Sequence, residues 1–269
     1  MGLKGGFVMY LSAERIALAN QAIRETFEQT CVAWQVIPHW DTGDPAQTRV
    51  RNDNLTKPGF VDLLPKQADL KVTLAEAIAP TPDALLAKVM AGTVELAAVV
   101  DDAVFPEVRM APPAADAVQM DDKLVPTILN KLIEARAKVE TAGYRSPSCL
   151  VTETQGVEDI SQLASGYPVK KALLDAANVY SLHRVQTIKD PTVKTDKVEA
   201  LLLGRRQLIG NGGASGASPG EEPVDIAVSV APSLEVVGDT IDNNIELRIR
   251  ISYATRVKDA DGIVVIVNK

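Results

Sequence analysis

The segment from residue 45 to residue 79 constrains the fold most, because its apolar residues are too scattered to fill a core of their own. They lie along an extended stretch that Pro58-Gly59 divides into two halves, which predicts a long two-stranded arm. Apolar residues that one chain cannot bury must be buried on another, so this extended arm favours an assembly over a monomer. The apolar positions are Val50, Leu55, Phe60, Val61, Leu63, Leu64, Leu70, Val72 and Leu74.

The longest helical pattern follows the extended arm. It starts at Pro82, and its apolar residues recur at three- and four-residue spacing as far as Phe105, where Pro106 is expected to end the helix. Such a helix would serve as a backbone on which other elements pack. Residues 31–40 are expected to be extended. Shorter helices are expected over 12–29, 122–142, 157–164 and 168–177.

Strand patterns are concentrated in the second half of the chain. Residues 245–253 alternate between apolar and polar side chains, which is typical of a half-buried strand. The apolar run 263–267 follows an Asp261-Gly262 turn and is predicted to be its hairpin partner, buried on both faces. Together with the helices, these strands predict an α+β fold. Further strands are expected over 148–152, 181–188 and 198–203.

The composition excludes several classes of protein. The 269 residues include 28 Lys and Arg against 35 Asp and Glu, and the net charge of −7 argues against binding nucleic acid through bulk positive charge. Hydrophobic residues make up 46% of the chain, which is enough for a buried core. Two cysteines cannot form a disulfide framework. No segment approaches the roughly 18 apolar residues of a membrane span, so no membrane partner is expected.

One tripeptide matches a catalytic motif. Asp41-Thr42-Gly43 has the sequence that carries the catalytic carboxylate of aspartic peptidases, where two such carboxylates share one proton. Only one copy occurs here, so a peptidase would have to be a homodimer. An acidic turn is the simpler interpretation. His39 with Asp41 and Asp44 could in principle hold a metal, but three donors in a turn-rich segment often occur together by chance.

Other clusters favour structural interpretations. The glycine-rich loop 210–220 lacks the strand and helix that flank a phosphate-binding loop, so we expect a mobile surface loop. The arginine pairs Arg205-Arg206 and Arg248/Arg250 are expected to meet carboxylates at subunit contacts. Cys31 and Cys149 are expected to be small core residues. The sequence therefore assigns no catalytic, cofactor-binding or metal-ligating residue, and no cofactor, and predicts that the chain is not an enzyme.

The order of these elements resembles the shell proteins of tailed bacteriophages and encapsulin nanocompartments, which share the Hong Kong 97-type capsid fold. Lys71–Ile78 and the helix after it are similar to the descending strand of that family's extended loop and its spine helix. Residues 166–174, which begin Gly166-Tyr167-Pro168, resemble an encapsulin segment in which a Tyr-Pro pair precedes a helix of the axial domain. The closing runs 231–237, 245–253 and 260–266 are similar to the family's return to its peripheral domain.

The resemblance implies a domain organisation. It comprises an N-terminal arm over 1–44, an extended loop over 45–79, a peripheral domain over 80–143 and 240–269 with a long spine helix, and an axial domain over 144–239. In this family the extended loop lies across an adjacent subunit, which would explain the extended arm. Some members link subunits through Lys and Asn side chains. Lys57 and Lys66 lie in the loop, but no motif designates an Asn partner, so no cross-link is expected.

The function implied by the resemblance is that of a major capsid protein, which self-assembles into an icosahedral shell around double-stranded DNA. Its partners would be further copies in pentamers and hexamers, packaged DNA without sequence-specific contact, and separate scaffolding, portal or decoration proteins. It would be found in the virion after assembly in the cytoplasm of a bacterial host. The alternatives are an encapsulin shell around a cargo enzyme and, in another class, an aspartic peptidase that uses Asp41.

Overall fold

The structure is a computed structural model that describes residues 11–54, 56–189, 198–205, 222–239, 242 and 244–268. The helices are α1 (Ala13–Thr30), α2 (Val32–Val36), α3 (Leu74–Ile78), α4 (Asp83–Met110), α5 (Val125–Thr141), α6 (Thr154–Ile160) and α7 (Lys170–Ala176). The strands are β1 (His39–Asp41), β2 (Arg49–Arg51), β3 (Phe60–Asp62), β4 (Leu64–Thr73), β5 (Val118–Met120), β6 (Arg145–Thr152), β7 (Leu163–Ala164), β8 (Tyr167–Pro168), β9 (Val179–Arg184), β10 (Val198–Arg205), β11 (Val224–Asp239), β12 (Asn244–Val257) and β13 (Ile263–Asn268). Within these residues, none of the helices is both long enough and apolar enough to cross a bilayer.

The first sheet has the strand order β1-β11-β12-β4, and its longest strands form the antiparallel hairpin β11–β12. Strand β12 confirms the predicted alternation, because the side chains on one of its faces are buried in the larger core, where α4 packs against the strand. Those side chains are Ile245, Leu247, Ile249, Ile251 and Tyr253.

The second sheet has the order β5-β13-β10-β6-β9 and separates two hydrophobic cores. Successive side chains of a strand point to opposite faces, so Leu201 and Leu203 of β10 enter the larger core while Leu202 enters the smaller one. Helices α5 and α7 cover the face of the smaller core. Strand β13 is also buried on both faces, as the sequence predicts.

The prediction that strand β13 forms a hairpin with strand β12 is wrong. Strand β13 pairs with β10 and β5 in the second sheet, whereas β12 lies in the first sheet between β11 and β4. Both edges of β12 are therefore already hydrogen-bonded, and the short 3-10 turn Ala260–Gly262 carries the chain across to the other sheet.

The predicted end of the long helix at Pro106 is also wrong, because α4 continues to Met110. A proline inside a helix removes one backbone hydrogen bond but does not prevent continuation where packing favours it. Here Phe105 and Val108, on either side of Pro106, are fully buried in the larger core. Tertiary burial thus outweighs the local cost of the proline.

Residues 31–40 are not extended throughout, since Val32–Val36 form helix α2. The buried Asp101 of α4 stabilises the first turn of this helix. Its carboxylate accepts hydrogen bonds from the backbone N–H groups of Val32 at 3.0 Å and Ala33 at 2.7 Å, and from the Cys31 thiol at 3.3 Å. A carboxylate supplied by a distant helix cannot be inferred from the local sequence.

The second half of the extended arm pairs with a strand of its own chain, contrary to expectation. Strand β4 pairs with β12 from Leu64 opposite Tyr253 to Thr73 opposite Asn244. This pairing satisfies one edge of the β4 backbone, and Val72 is completely buried. The expectation that these apolar residues are buried only on other subunits is therefore wrong for Leu70 and Val72, whereas Leu64 is 56% exposed.

Candidate assembly surface

The first half of the extended arm forms the short hairpin β2–β3. Its turn is organised by the side chains of Asn52 and Asn54, which supply local hydrogen bonds in place of a regular two-residue turn. The Asn52 carbonyl oxygen accepts from the backbone N–H groups of Asn54 and Gly59, at 3.2 and 2.8 Å. The Asn54 side chain accepts from the backbone N–H of Lys57 at 2.6 Å.

The turn of this hairpin is clamped to the first sheet by Arg256. The buried Arg256 guanidinium forms a bidentate ion pair with Asp225 at 2.6 and 2.7 Å, and donates at 2.8 Å to both the Arg51 carbonyl and the Asp53 carboxylate. The Asn54 amide donates to the backbone carbonyl of residue 257 at 2.8 Å. The hairpin is thus held on its own subunit by polar contacts and by Val50, which is buried in a small core with Ala227 and Ala254 of the first sheet.

Two large apolar side chains of the hairpin region remain in solvent, and we call Phe60 and Leu64 the hairpin surface. They are 64% and 56% exposed. The Arg49 guanidinium lies 5.6 Å from the centre of the Phe60 ring and pairs with Asp62 at 2.9 Å, so the hairpin surface has a charged rim. An apolar centre with a charged rim is typical of a protein–protein contact.

A second exposed surface lies at the miniature hairpin β7–β8. Ser165 and Gly166 have φ values of +52° and +83°, as a two-residue type I′ turn requires. Leu163 and Tyr167 are 66% and 75% exposed on the two opposite faces of this hairpin, and we call these two residues the tip surface. Aromatic residues such as Tyr are enriched in the centres of protein interfaces.

The arginines predicted to meet carboxylates at subunit contacts do meet carboxylates, but within the chain. Arg248 pairs with Asp69 at 2.7 Å, and Arg250 lies 3.5 Å from Glu235. The buried Arg205 donates to the carbonyl of Val36 and lies 3.9 Å from Glu222. Arg206 lies outside the described residues, as does the loop 210–220.

Asp41 occupies an ordinary acidic turn. It is exposed at the end of β1, where its carboxylate accepts a hydrogen bond from the Gly43 N–H at 2.8 Å. Asp44 forms the same kind of turn with the N–H of Ala46 at 2.9 Å. The ring of His39 stacks on Trp34 with 3.8 Å between centroids, and burial lowers the pKa of His39. The described residues contain no group of three or more His, Cys, Asp or Glu that could hold a metal ion.

Both cysteines are buried, as expected of small core residues. Burial raises the pKa of Cys31 well above its ordinary value, and it also raises the pKa of Cys149. A thiol with a raised pKa is a poor nucleophile at neutral pH. Lys57 and Lys66, which lie in the expected extended loop, are exposed and partly exposed.

Solved structures match nearly the whole chain. A virus-like particle from Pyrococcus furiosus is 13% identical, with 94% of this chain and 100% of that chain covered and a TM-score of 0.65. A phage-related protein from Bordetella bronchiseptica is 11% identical, with coverages of 93% and 96% and a TM-score of 0.66. The mature capsid of bacteriophage PhiM1 is 9% identical, with coverages of 100% and 90% and a TM-score of 0.53.

The chain has the Hong Kong 97-type capsid fold. The match confirms the expected α+β class and the resemblance to phage shell proteins. Two of these three structures are, by their own names, a virus-like particle and a phage capsid, which are structural assemblies. No family model and no curated protein matches the sequence, so it is the fold that carries the likeness.

The residues of the candidate assembly surface are exposed apolar side chains, and the sequence pattern indicates them only in part. Phe60 and Leu64 were among the scattered apolar positions of the extended arm. Leu163 was missed, and Tyr167 was noted only for its resemblance to an encapsulin segment. The Ser165-Gly166 dipeptide between two short apolar pairs is a turn signal that could have located the tip surface.

Proposed function

We propose that the chain is the major capsid protein of a tailed bacteriophage, which self-assembles into an icosahedral shell enclosing double-stranded DNA. The capsid fold over 93–94% of the chain is the observation that carries the proposal. The protein would reside in the virion after assembly in the host cytoplasm. Its partners would be its own copies in pentamers and hexamers, with separate scaffolding, portal or decoration proteins. DNA would be enclosed without sequence-specific contact.

The proposed domains follow the expected boundaries, except that helix α5 and strand β13 move from the peripheral domain to the axial domain. Residues 1–44 would be the N-terminal arm, 45–79 the extended loop, 80–143 and 240–269 the peripheral domain, and 144–239 the axial domain. Strand β13 belongs to the sheet that contains β6, β9 and β10, and helix α5 packs on this sheet. This packing supports moving both elements to the axial domain.

Assembly would proceed by burial of the exposed apolar surfaces on neighbouring copies. The tip surface would meet its equivalents around a capsomer centre, and the hairpin surface would lie on an adjacent subunit. Burying a large apolar side chain contributes roughly 1.5–3 kcal/mol, so each contact is weak. A closed shell multiplies these contacts, because each copy is then held by several neighbours at once.

Expression of the full chain alone, followed by negative-stain microscopy, tests this function. We expect closed particles of uniform diameter, and shells formed without the other phage components should show the absorbance ratio of protein free of nucleic acid. If the purified chain remains a small monodisperse species under every assembly condition, the proposal is wrong.

The encapsulin alternative is favoured by the Tyr167-Pro168 segment, which resembles a segment of encapsulins. In that case the shell would enclose a cargo enzyme. Neighbouring genes separate the two functions: portal and terminase genes support the phage, whereas a gene for a ferritin-like protein or a peroxidase supports the encapsulin.

A further inference from the structure

Helix α4 is apolar on its outer side as well as on the side that faces the core. Of the ten exposed positions between residues 83 and 102, seven carry apolar residues. The three largest of these, Met90, Val94 and Val99, are 43%, 49% and 38% exposed. A helix that is apolar all round is normally buried on all sides. No element among the described residues covers the outer face of α4, as we call these positions.

The spacing of the outer face fits another helix. The exposed apolar residues Ala84, Ala87, Ala91, Val94 and Ala98 follow one another at intervals of three, four, three and four. This is the heptad spacing by which two helices pack along a common seam. Met90 lies beside this seam and adds apolar area.

The charged residues beside the seam indicate which charges a partner helix should carry. Asp83, Glu95 and Asp102 are the charged residues among the ten exposed positions, and all three are acidic. None of them forms an ion pair in the described part of the chain. Lys88, at the edge of the face, is already paired with Glu76 at 2.7 Å. Acidic flanks on a helical seam favour a partner with basic flanks.

We propose that the outer face of α4 binds an amphipathic helix of another protein, one whose apolar stripe is flanked by Lys or Arg. A second copy of the same face would place acidic flanks against each other, which is unfavourable. Nucleic acid is repelled by the same carboxylates. The inference does not depend on shell formation, because the face is present in the single chain.

A designed peptide tests the proposal against the purified full chain. The probe is a fluorescently labelled helix of three heptads, with Leu and Ala on its seam and Lys on both flanks. The control probe has Glu in place of every Lys. We expect saturable binding of the Lys peptide by fluorescence anisotropy and at least tenfold weaker binding of the Glu peptide.

Charge reversal on the protein locates the binding site. The double variant Glu95→Lys/Asp102→Lys should bind the Lys peptide roughly tenfold more weakly and should bind the Glu peptide better than the unchanged chain does. This exchange of preference cannot arise from unfolding. The matched control is Glu158→Lys/Asp175→Lys, which reverses two exposed acids on α6 and α7 and should leave both affinities unchanged.

Two results would overturn the proposal. One is that the Lys peptide does not bind saturably, or binds the α4 double variant and the control variant equally well. The other is that the α4 double variant alters self-association of the chain while its peptide affinities stay the same, which would assign the face to a second copy.

Discussion

At the scale of single residues, the buried Asp101 couples the stability of the chain to pH. Burial raises its pKa to about 6, although the N–H groups of Ala33 and Val32 and the Cys31 thiol act in the opposite direction. An unfolded Asp titrates near pH 3.9, so between about pH 4 and 6 the folded chain binds more protons than the unfolded chain. The stability that Asp101 contributes is therefore complete below about pH 4 and is lost as the pH rises to about 6.

Replacing Asp101 with Asn isolates this effect, because Asn does not titrate. Relative to Asp101→Asn, the unchanged chain should lose up to about 3 kcal/mol of unfolding free energy between pH 4 and pH 7. Urea unfolding of both proteins at several pH values measures the difference. A difference that stays constant with pH, or that grows in favour of Asp101 as the pH rises, contradicts the assignment.

Gly262 permits the close approach of three segments. A Cβ atom at this position would lie 2.5 Å from the Pro223 Cβ and 2.8 Å from the Tyr144 ring. Gly262→Ala should therefore lower the unfolding free energy by about 2–3 kcal/mol, as measured by urea unfolding. The control is Gly238→Ala, where a Cβ meets no atom within 4 Å and the change should stay within about 0.5 kcal/mol. Equal losses in the two variants would refute the steric explanation.

At the scale of secondary-structure elements, periodicity predicted which elements exist but not how they pair. The alternation of 245–253 and the helical spacing after Pro82 reflect burial of one face, which sequence records directly. The sequence of a strand that is buried on both faces, such as β13, does not indicate which strands pair with it. Helix α2 likewise depends on Asp101, about 70 residues away.

A variant of the hairpin β2–β3 can test whether polar contacts hold this hairpin on its own subunit. Asp53→Asn weakens the contact to Arg256, and because Asp53 is half exposed we expect a loss of only about 1 kcal/mol. Amides of residues 49–62 should then exchange hydrogen roughly fivefold faster. The control Asp62→Asn removes an ion pair within the hairpin that does not reach the sheet. Faster exchange in both variants to the same extent would show that Arg256 is not the clamp.

At the scale of the whole molecule, the extended arm was the feature that pointed to assembly, and its role proved narrower than predicted. Strand β4 pairs with β12 of the same chain and its Ala68 and Val72 are buried there, which no count of scattered apolar residues could reveal. What remains for neighbouring copies is the hairpin surface and the tip surface. A few exposed side chains, rather than the whole extended arm, are therefore the surfaces available for assembly.

Phe60→Ser and Tyr167→Ser test these two surfaces. Both side chains are exposed in the single chain, so unfolding free energies should change by less than about 0.5 kcal/mol. Particle yield, measured by sedimentation, should fall at least tenfold because each lost contact is repeated in every subunit. Leu124→Ser is the control, since it removes an equally exposed apolar side chain from the start of α5. An equal loss of particles in the control would mean that general surface hydrophobicity drives association.

The central claim is that the exposed apolar surfaces of this fold are buried on further copies in a closed shell. A cryo-electron microscopy reconstruction of particles assembled from the full chain measures this most directly. We predict an icosahedral shell in which an adjacent subunit covers Phe60 and Leu64. A shell in which both side chains face solvent, or a chain that forms no particles at all, would contradict the account.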